Sequence, residues 1–257
     1  MHALVNLALR AAREAAKTII QASERLDRVR VIEDSGGRFI TSVHHDVNYL
    51  ILQQLQKAFP SHGFNSRVSG LVEGEDPDTL WLIDPVDGNA NFMRGLPHHT
   101  VSIACQIKHR ITHAVLVNPL LDEEFTASRG AGARLNGKRI RVSNTPDLEK
   151  GMASIHEPDK TAGTATSLIR YLADQNCGVR ISGCASLDMV YNAAGRTDAG
   201  WIEGTDPLQL GAATLILQES GGLITDEAGG ADPFAGSEVF FGNPKCLKQL
   251  LQARRKL

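Results

Sequence analysis

The sequence predicts an α+β protein in which an antiparallel-sheet part is followed by an α/β part. Within the first 145 residues, consecutive strand-like runs follow two amphipathic helices, whereas helix-like and strand-like segments alternate after that point. No internal repeat or low-complexity linker separates the two parts, which favours two subdomains that share a cleft. We therefore predict domains at 1–145 and 146–257.

Each predicted element has its own pattern in the chain. The first helix has apolar residues at helical spacing at Leu4, Ala8, Ala11, Ala15 and Ile19. The second helix runs from His45 to about Phe59, and Pro60 ends it. Four strand-like runs follow, separated by Gly, Pro and Asn turns: TLWLIDP, HTVSIACQI, THAVLVNP and EEFTASR. The second part alternates helix and strand in the order TATSLIRYLADQN, GVRIS, SLDMVYNAAG, DAGWIE and LQLGAATLILQESGG.

Composition excludes several classes of protein. The 257 residues are 42% hydrophobic and carry a formal net charge of -2, so a broad basic surface for nucleic acid is not expected. The four cysteines are scattered without a CxxC pair, which argues against a structural zinc site or a disulfide framework. Charges interrupt the amino-terminal helix, and no apolar run is long enough to span a membrane. We expect a cytoplasmic protein without membrane contact.

The stretch WLIDPVDGNANF carries the strongest chemical signal. Asp84, Asp87 and the Val86 carbonyl are oxygen ligands of the kind Mg²⁺ prefers. The backbone N–H groups from Gly88 to Ala90, including Asn89, could cradle a phosphate. Taken alone, the same residues are equally compatible with an Asx-turn and N-capping aspartates.

The longer stretch WLIDPVDGNANFMRGLPHHTVSIACQI resembles the signature of the inositol monophosphatase superfamily, W-x-I-D-P-[ILV]-D-G-T-x-N-F. The similarity continues in FTASRGAGARLNGKRI, SGCASLDMVYNAAGRTDAGW and AATLILQESGGLITD, and it is closest to the bacterial SuhB-type branch. The resemblance implies a layered αβαβα fold, usually dimeric. It also implies hydrolysis of small phosphomonoesters with Mg²⁺ ions held by five parts of the chain.

Two departures from the family pattern concern the attacking water. Arg67 and Val68 stand where the family has a Glu-Glu pair, whose first member binds metal and helps to activate water. Arg67 can do neither, because its guanidinium stays protonated and only donates. Asn89 replaces the threonine that works with this glutamate. General-base assistance of this kind is worth about 10²–10⁴-fold in rate.

Two further departures concern the remaining ligand positions. Gln209 stands at the aspartate that binds the second metal, although a shifted register could bring in Asp206. His44 occupies the aspartate position of a T-x-x-D segment. The resemblance also implies a substrate pocket formed by Gly183, Cys184, Ala185, Glu203 and Gln209. Glu203 enters that set because Ile202 occupies the family's glutamate position, and Cys184 is more simply inert packing than a nucleophile.

Two functions remain open. In the first, the Mg²⁺ site is degenerate, Mg²⁺ binds weakly or not at all, and the protein is kept for binding or regulation. Arg67 then replaces the metal by pairing with Asp84 and Asp87, and a small phosphate or other anion binds Arg67 and the Gly88–Ala90 backbone. The SuhB-type resemblance implies a transcription-machinery partner in ribosomal RNA antitermination, and a homodimer. In the second, the protein is an active Mg²⁺-dependent phosphatase of inositol monophosphate or a related phosphomonoester.

Overall fold

The computed structural model describes residues 2–35, 38–156 and 163–256. These residues form five layers in the order helix, sheet, helix, sheet, helix, which confirms the αβαβα fold. Within these ranges no helix combines the length and the apolar character that crossing a membrane requires.

The helices are bounded by recognisable caps. Thr41 and His44 form a capping box before the second helix, and Asp206 and Asn243 accept backbone N–H groups at the starts of the last two. The helices are α1 Ala3–Ser23, α2 Ser42–Ala58, α3 Asn89–Phe92, α4 Thr164–Asp174, α5 Ala185–Ala193, α6 Pro207–Glu219 and α7 Pro244–Arg254, with a 3₁₀ turn at Leu26–Arg28.

The strands form two large sheets and one hairpin. The hairpin is β1 Val31–Ser35 with β2 Arg38–Thr41. The first sheet, in the order β10-β9-β8-β7-β6-β5-β3-β4, contains β3 Gly63–Ser66, β4 Gly70–Val72, β5 Thr79–Asp87, β6 Thr100–Ile107, β7 Arg110–Asn118, β8 Glu123–Ser128, β9 Gly132–Leu135 and β10 Lys138–Arg139. The second, in the order β12-β11-β13-β15-β14, contains β11 Met152–His156, β12 Gly178–Arg180, β13 Ala199–Glu203, β14 Leu223–Asp226 and β15 Glu238–Gly242.

Alternation along β5 explains how the first sheet is covered on both faces. Trp81 and Ile83 pack with α1 and α2, whereas Leu82 packs with α5 and α6 on the opposite face. The helix pair α5 and α6 also covers one face of the second sheet, while α4 and α7 cover the other. The middle helical layer is therefore shared, and α6 is apolar on nearly all sides because it lies between two sheets.

The predicted elements are found close to their expected positions. The helix predicted from His45 begins earlier, at Ser42, because the capping box lies upstream of its apolar stripe. The first sheet is antiparallel except that β3 runs parallel to β5, and β5 extends beyond the predicted run to Asp87. The predicted boundary at residue 145 lies between β10 and β11, and the division into two domains stays a prediction.

Candidate functional site

The carboxyl end of β5 places two acidic side chains in the interior. The pairing of β5 with β6 shifts register between Asp84 and Asp87, where Pro85 lacks the N–H that a regular ladder needs. Asp84 is 1% exposed and Asp87 is 7% exposed. Carboxylates this far from water need hydrogen-bond partners, so their neighbours decide what the site can do.

Arg67 lies directly beside Asp84. It follows β3, the parallel neighbour of β5, and its backbone N–H donates to the Ile83 carbonyl at 3.1 Å. Its Nε donates to Asp84 Oδ2 at 2.8 Å, and its Nη2 donates to Asp206 Oδ2 at 2.6 Å. Burial alone would lower the pKa of the Arg67 guanidinium, because it disfavours the charged form. The charges and hydrogen bonds of Asp84 and Asp206 together have the larger effect and raise the pKa. Arg67 is therefore a fixed cation between two carboxylates.

This arrangement corrects one expectation. The sequence predicted that Arg67 would pair with Asp84 and Asp87, but its second partner is Asp206. Asp206 is the N-cap of α6, where its Oδ1 accepts from the Leu208 N–H at 2.9 Å. The cap holds the Asp206 carboxylate within reach of Arg67, and Gln209, in the first turn of α6, extends towards Asp87.

Asp84 is only partly satisfied by its neighbours. Burial raises the pKa of Asp84 to about 6, the charge and the hydrogen bond of Arg67 oppose that rise, and the Asp87 carboxylate adds to it. Its Oδ2 accepts from Arg67, whereas the buried Oδ1 has no hydrogen-bond partner among the described residues. The site therefore keeps one unmatched acceptor oxygen.

Asp87 is held by neutral donors. Gln209 Nε2 donates to Asp87 Oδ1 at 2.7 Å, while the Ser186 N–H and hydroxyl donate to Oδ2 at 3.1 and 2.6 Å. The Cys184 thiol donates to the same oxygen at 3.2 Å. Ser186 was not among the predicted site residues, because a serine in the first turn of a helix is too common to be a specific signal.

His44 and Asn89, at two positions where the sequence predicted departures from the family pattern, contact each other. His44 is fully buried, and its Nδ1 accepts from the Thr41 backbone N–H at 3.2 Å, so its proton sits on Nε2, 3.0 Å from Asn89 Oδ1. Desolvation lowers the pKa of His44 to about 4, although the hydrogen bond to Asn89 opposes the shift. Neutral His44 thus joins the cap of α2 to the start of α3.

The state of His44 gives a stability that depends on pH. Its pKa is about 4 in the folded protein and near 6.5 when unfolded, so the unfolded chain takes up the proton first as pH falls. We expect the contribution of His44 to stability to decrease as pH falls from 6.5 to 4, by up to about 1.4 kcal/mol per pH unit. Urea unfolding across that range measures it. His44→Gln should flatten the curve and the neighbouring, exposed His45→Asn should not; an equal effect of both variants would contradict the assignment.

Gly88 is required by the geometry of the turn after β5. It has φ +85°, and a Cβ there would lie 2.5 Å from the His98 carbonyl oxygen. That oxygen belongs to backbone, so relief needs a shift of the whole turn, in addition to roughly 1–3 kcal/mol of backbone strain. We expect Gly88→Ala to lower the melting temperature by several degrees in calorimetry. Gly130→Ala is the matched control, because it shares a positive φ but has open space around its Cβ position.

The predicted substrate-pocket residues are partly brought together. Cys184 is the N-cap residue of α5 and contacts Asp87, while Ala185 begins that helix and is buried. Gly183 has φ +78°, and a Cβ at this position would lie 3.2 Å from the Asn91 amide nitrogen. Burial, and then the Asp87 charge, raise the pKa of the Cys184 thiol, which agrees with an inert role. Glu203 ends β13 opposite Glu238.

The start of α3 adjoins this cluster. Asn89 is half-buried and Ala90 is exposed, and both follow Gly88 in the first turn of a four-residue helix. Across the ranges that the structure describes, no group of three or more His, Cys, Asp or Glu side chains is arranged to hold a metal ion. The side chains that do come together are carboxylates that accept hydrogen bonds from a guanidinium, an amide and a hydroxyl.

The fold has five layers, and two aspartates are buried at the end of a long strand. These features define a class of layered α/β proteins. Comparison with known proteins identifies the family within that class. The inositol monophosphatase family model matches residues 1–257. The chain belongs to the inositol monophosphatase family.

Similar proteins place it near the SuhB-type branch. It is 42% identical over 258 residues to Nus factor SuhB of Pseudomonas aeruginosa, covering 98% of this chain and 95% of the relative. It is 37% identical to Nus factor SuhB of Escherichia coli, covering 99% and 97%. The crystal structure of the extragenic suppressor protein SuhB from Bartonella henselae superposes with a TM-score of 0.95 at 32% identity, covering 99% of both chains. The Thermotoga maritima IMPase gives 0.91 at 25% identity, covering 99% and 98%.

Proposed function

We propose that this protein is a catalytically impaired member of the inositol monophosphatase family that is retained for binding, with a role in transcription antitermination. The proposal that catalysis is impaired rests on the ion pair between Arg67 and Asp84, with 2.8 Å between Nε and Oδ2. A permanent cation lies where the family pattern has a carboxylate ligand, so it neutralises the aspartate that would bind metal.

The donor set does not fit a two-Mg²⁺ centre. Mg²⁺ is held by several anionic oxygens and gives up its water reluctantly. At this site Asp84 forms an ion pair with Arg67, and Asp87 accepts hydrogen bonds from the Gln209 amide and from Ser186. An arriving divalent ion would meet the repulsion of the guanidinium and would have to displace these donors. We therefore derive no catalytic step through a metal.

The residues at the changed positions also form hydrogen bonds with the aspartates or with one another, which supports a pocket with a defined set of contacts. Arg67 bonds to Asp84, Gln209 bonds to Asp87, and His44 is 3.0 Å from Asn89. Each of these residues thus contacts either one of the two aspartates of the DPVDG motif or another residue that departs from the family pattern. The anion site predicted at Arg67 and the backbone of Gly88, Asn89 and Ala90 remains part of this proposal, since Arg67 has further N–H groups and 24% of its side chain is exposed.

The transcription role is proposed from the relatives. Proteins named Nus factor SuhB match nearly the whole chain at 34–42% identity. Their names associate them with the transcription machinery. A full-length match at this identity supports the same kind of protein partner here, without a requirement for phosphatase chemistry.

Two measurements on the full chain test the proposal. Phosphate release from inositol 1-phosphate, with Mg²⁺ or Mn²⁺ present, is expected to equal that of the buffer control. Turnover that disappears in Asp84→Asn would reject the impaired site. A tagged chain should also retain RNA polymerase from a lysate of its native cell, and Asp84→Asn should retain it equally well. Failure to retain polymerase would reject the transcription role.

Two observations favour the second candidate, an active phosphatase. The buried Asp84 Oδ1 has no hydrogen-bond partner among the described residues, and three aspartates converge on Arg67 and Gln209. An unmatched buried oxygen of this kind is suited to a cation. Movement of Arg67 away from Asp84 would then be needed before metal binds, and the phosphate-release assay separates the two candidates.

A further inference from the structure

The outer strand β4 of the first sheet carries apolar side chains in water. It is the last strand in the sheet order, and Leu71 and Val72 are 58% and 46% exposed. Successive strand residues point to opposite faces, so both sides of this edge are uncovered. Such an edge also presents backbone N–H and C=O groups that can pair with another strand.

A cavity of about 320 Å³ adjoins this edge. Gly63, Leu71 and Leu80 contribute to its wall, and Thr79 and Leu80 place it at the beginning of β5. The cavity is therefore at the opposite end of that strand from Asp84 and Asp87. It is large enough for one long side chain.

The polar lining of the cavity, which we call its rim, contains three acidic residues and His109. Glu73, Asp76 and Asp78 line the cavity, and Glu75 is exposed in the same loop. Asp78 lies 4.0 Å from Lys108, but both side chains are more than half exposed, so this ion pair is weak. The rim is thus negative, and its natural complement is positive.

We propose that β4 and this cavity form a docking site for an extended segment of another protein that carries Arg or Lys between aliphatic residues. The segment adds to β4 as a further strand, which supplies backbone hydrogen bonds and aliphatic contacts with Leu71 and Val72. Its basic side chain enters the cavity, where the alkyl stem lies on Leu80 and the charged head meets Asp76 and Asp78. This proposal is independent of whether the Asp84 pocket turns over phosphate.

Charge and geometry disfavour the other occupants. A nucleic acid is repelled by the carboxylates of the rim. A second copy related by a two-fold axis would bring two acidic rims together, which like-charge repulsion disfavours. A basic strand from a different protein covers the apolar edge and also pairs with the negative charges of the rim.

An array of short peptides that alternate valine with arginine, lysine, serine or glutamate tests the docking site. The full-length chain is expected to bind the arginine and lysine peptides and not the glutamate peptides, and fluorescence anisotropy then gives the affinity of the strongest binder. Leu71→Asp and the pair Asp76→Lys with Asp78→Lys should each weaken it by about tenfold or more. Backbone amides of Leu71 and Val72 should exchange hydrogen more slowly with peptide bound.

The second sheet offers a matched control. Leu223 is 51% exposed on β14, which is likewise an outer strand, so Leu223→Asp should leave the affinity unchanged. No preference of the chain for basic peptides, or an equal loss in Leu223→Asp and Leu71→Asp, would overturn the proposal. Self-association that Leu71→Asp abolishes would also overturn it, because a second copy would then occupy the edge. Thermal melting of each variant verifies that these surface changes leave the fold intact.

Discussion

Replacing Arg67 with methionine is expected to lower the free energy of unfolding by about 3 kcal/mol at neutral pH. The side chain of Asp84 is 2% exposed and would lose its cation, while Asp206 would lose the same partner. Methionine retains most of the volume of the aliphatic stem, so the effect reports mainly the uncompensated charge. Urea unfolding of the full chain measures it.

Two variants make this result specific to the ion pair. Adding Asp84→Asn to Arg67→Met should recover part of the lost stability, because the buried charge is then removed as well. Arg10→Met, on the exposed face of α1, is the control and should change stability by less than about 0.5 kcal/mol. If Arg67→Met were as mild as Arg10→Met, Arg67 would not act as the internal cation of this site.

Introducing the residues of the family pattern at four positions is expected to create Mg²⁺ affinity that, under our proposal, the natural chain lacks. The changes are His44→Asp, Arg67→Glu, Asn89→Thr and Gln209→Asp. They remove the cation and add three carboxylates around Asp84 and Asp87, so the pocket gains the anionic oxygens that Mg²⁺ needs. Without metal these carboxylates repel one another, and we expect the variant to be less stable than the natural chain.

Calorimetric titration and thermal melting measure this gain. Mg²⁺ should stabilise the variant by about 2.7 kcal/mol at a concentration one hundred times its dissociation constant, and should leave the natural chain unchanged. Adding Asp84→Asn and Asp87→Asn to the variant should abolish the response. Equal stabilisation of the natural chain by Mg²⁺ would show that Arg67 does not keep the ion out.

Much of the fold could be predicted from local patterns. The apolar stripe of α1 and the runs that form β5 to β8 follow periods that depend on neighbouring residues only. The resemblance carried by WLIDPVDGNANF supplied the layered arrangement. Short elements such as β4, α3 and β10 were not predicted, because two to four residues show no period and their pairing depends on distant strands.

The candidate site was predicted less completely. The residue types at Arg67, Asn89 and Gln209 could be read from the sequence, and Asp84 was correctly predicted as one partner of Arg67. The prediction that Arg67 pairs with Asp87 was wrong, since the partner beside Asp84 is Asp206, 139 residues away in the chain. Ser186, 99 residues from Asp87, was also missed, since a serine in the first turn of a helix is not a specific signal and the sequence does not show which distant residue it contacts.

The sequence by itself determined the family, the order of the principal elements and the chemical types of the side chains at Arg67, Asn89 and Gln209. Those properties are written in local patterns and in residue identity, and an arginine is a cation wherever it lies. Only the tertiary structure decided which carboxylate meets which donor, because β3, β5 and α6 must pack together before Arg67 can bridge Asp84 and Asp206. It also decided that the Leu71 edge stays uncovered beside an acidic cavity, since exposure is a property of the assembled layers.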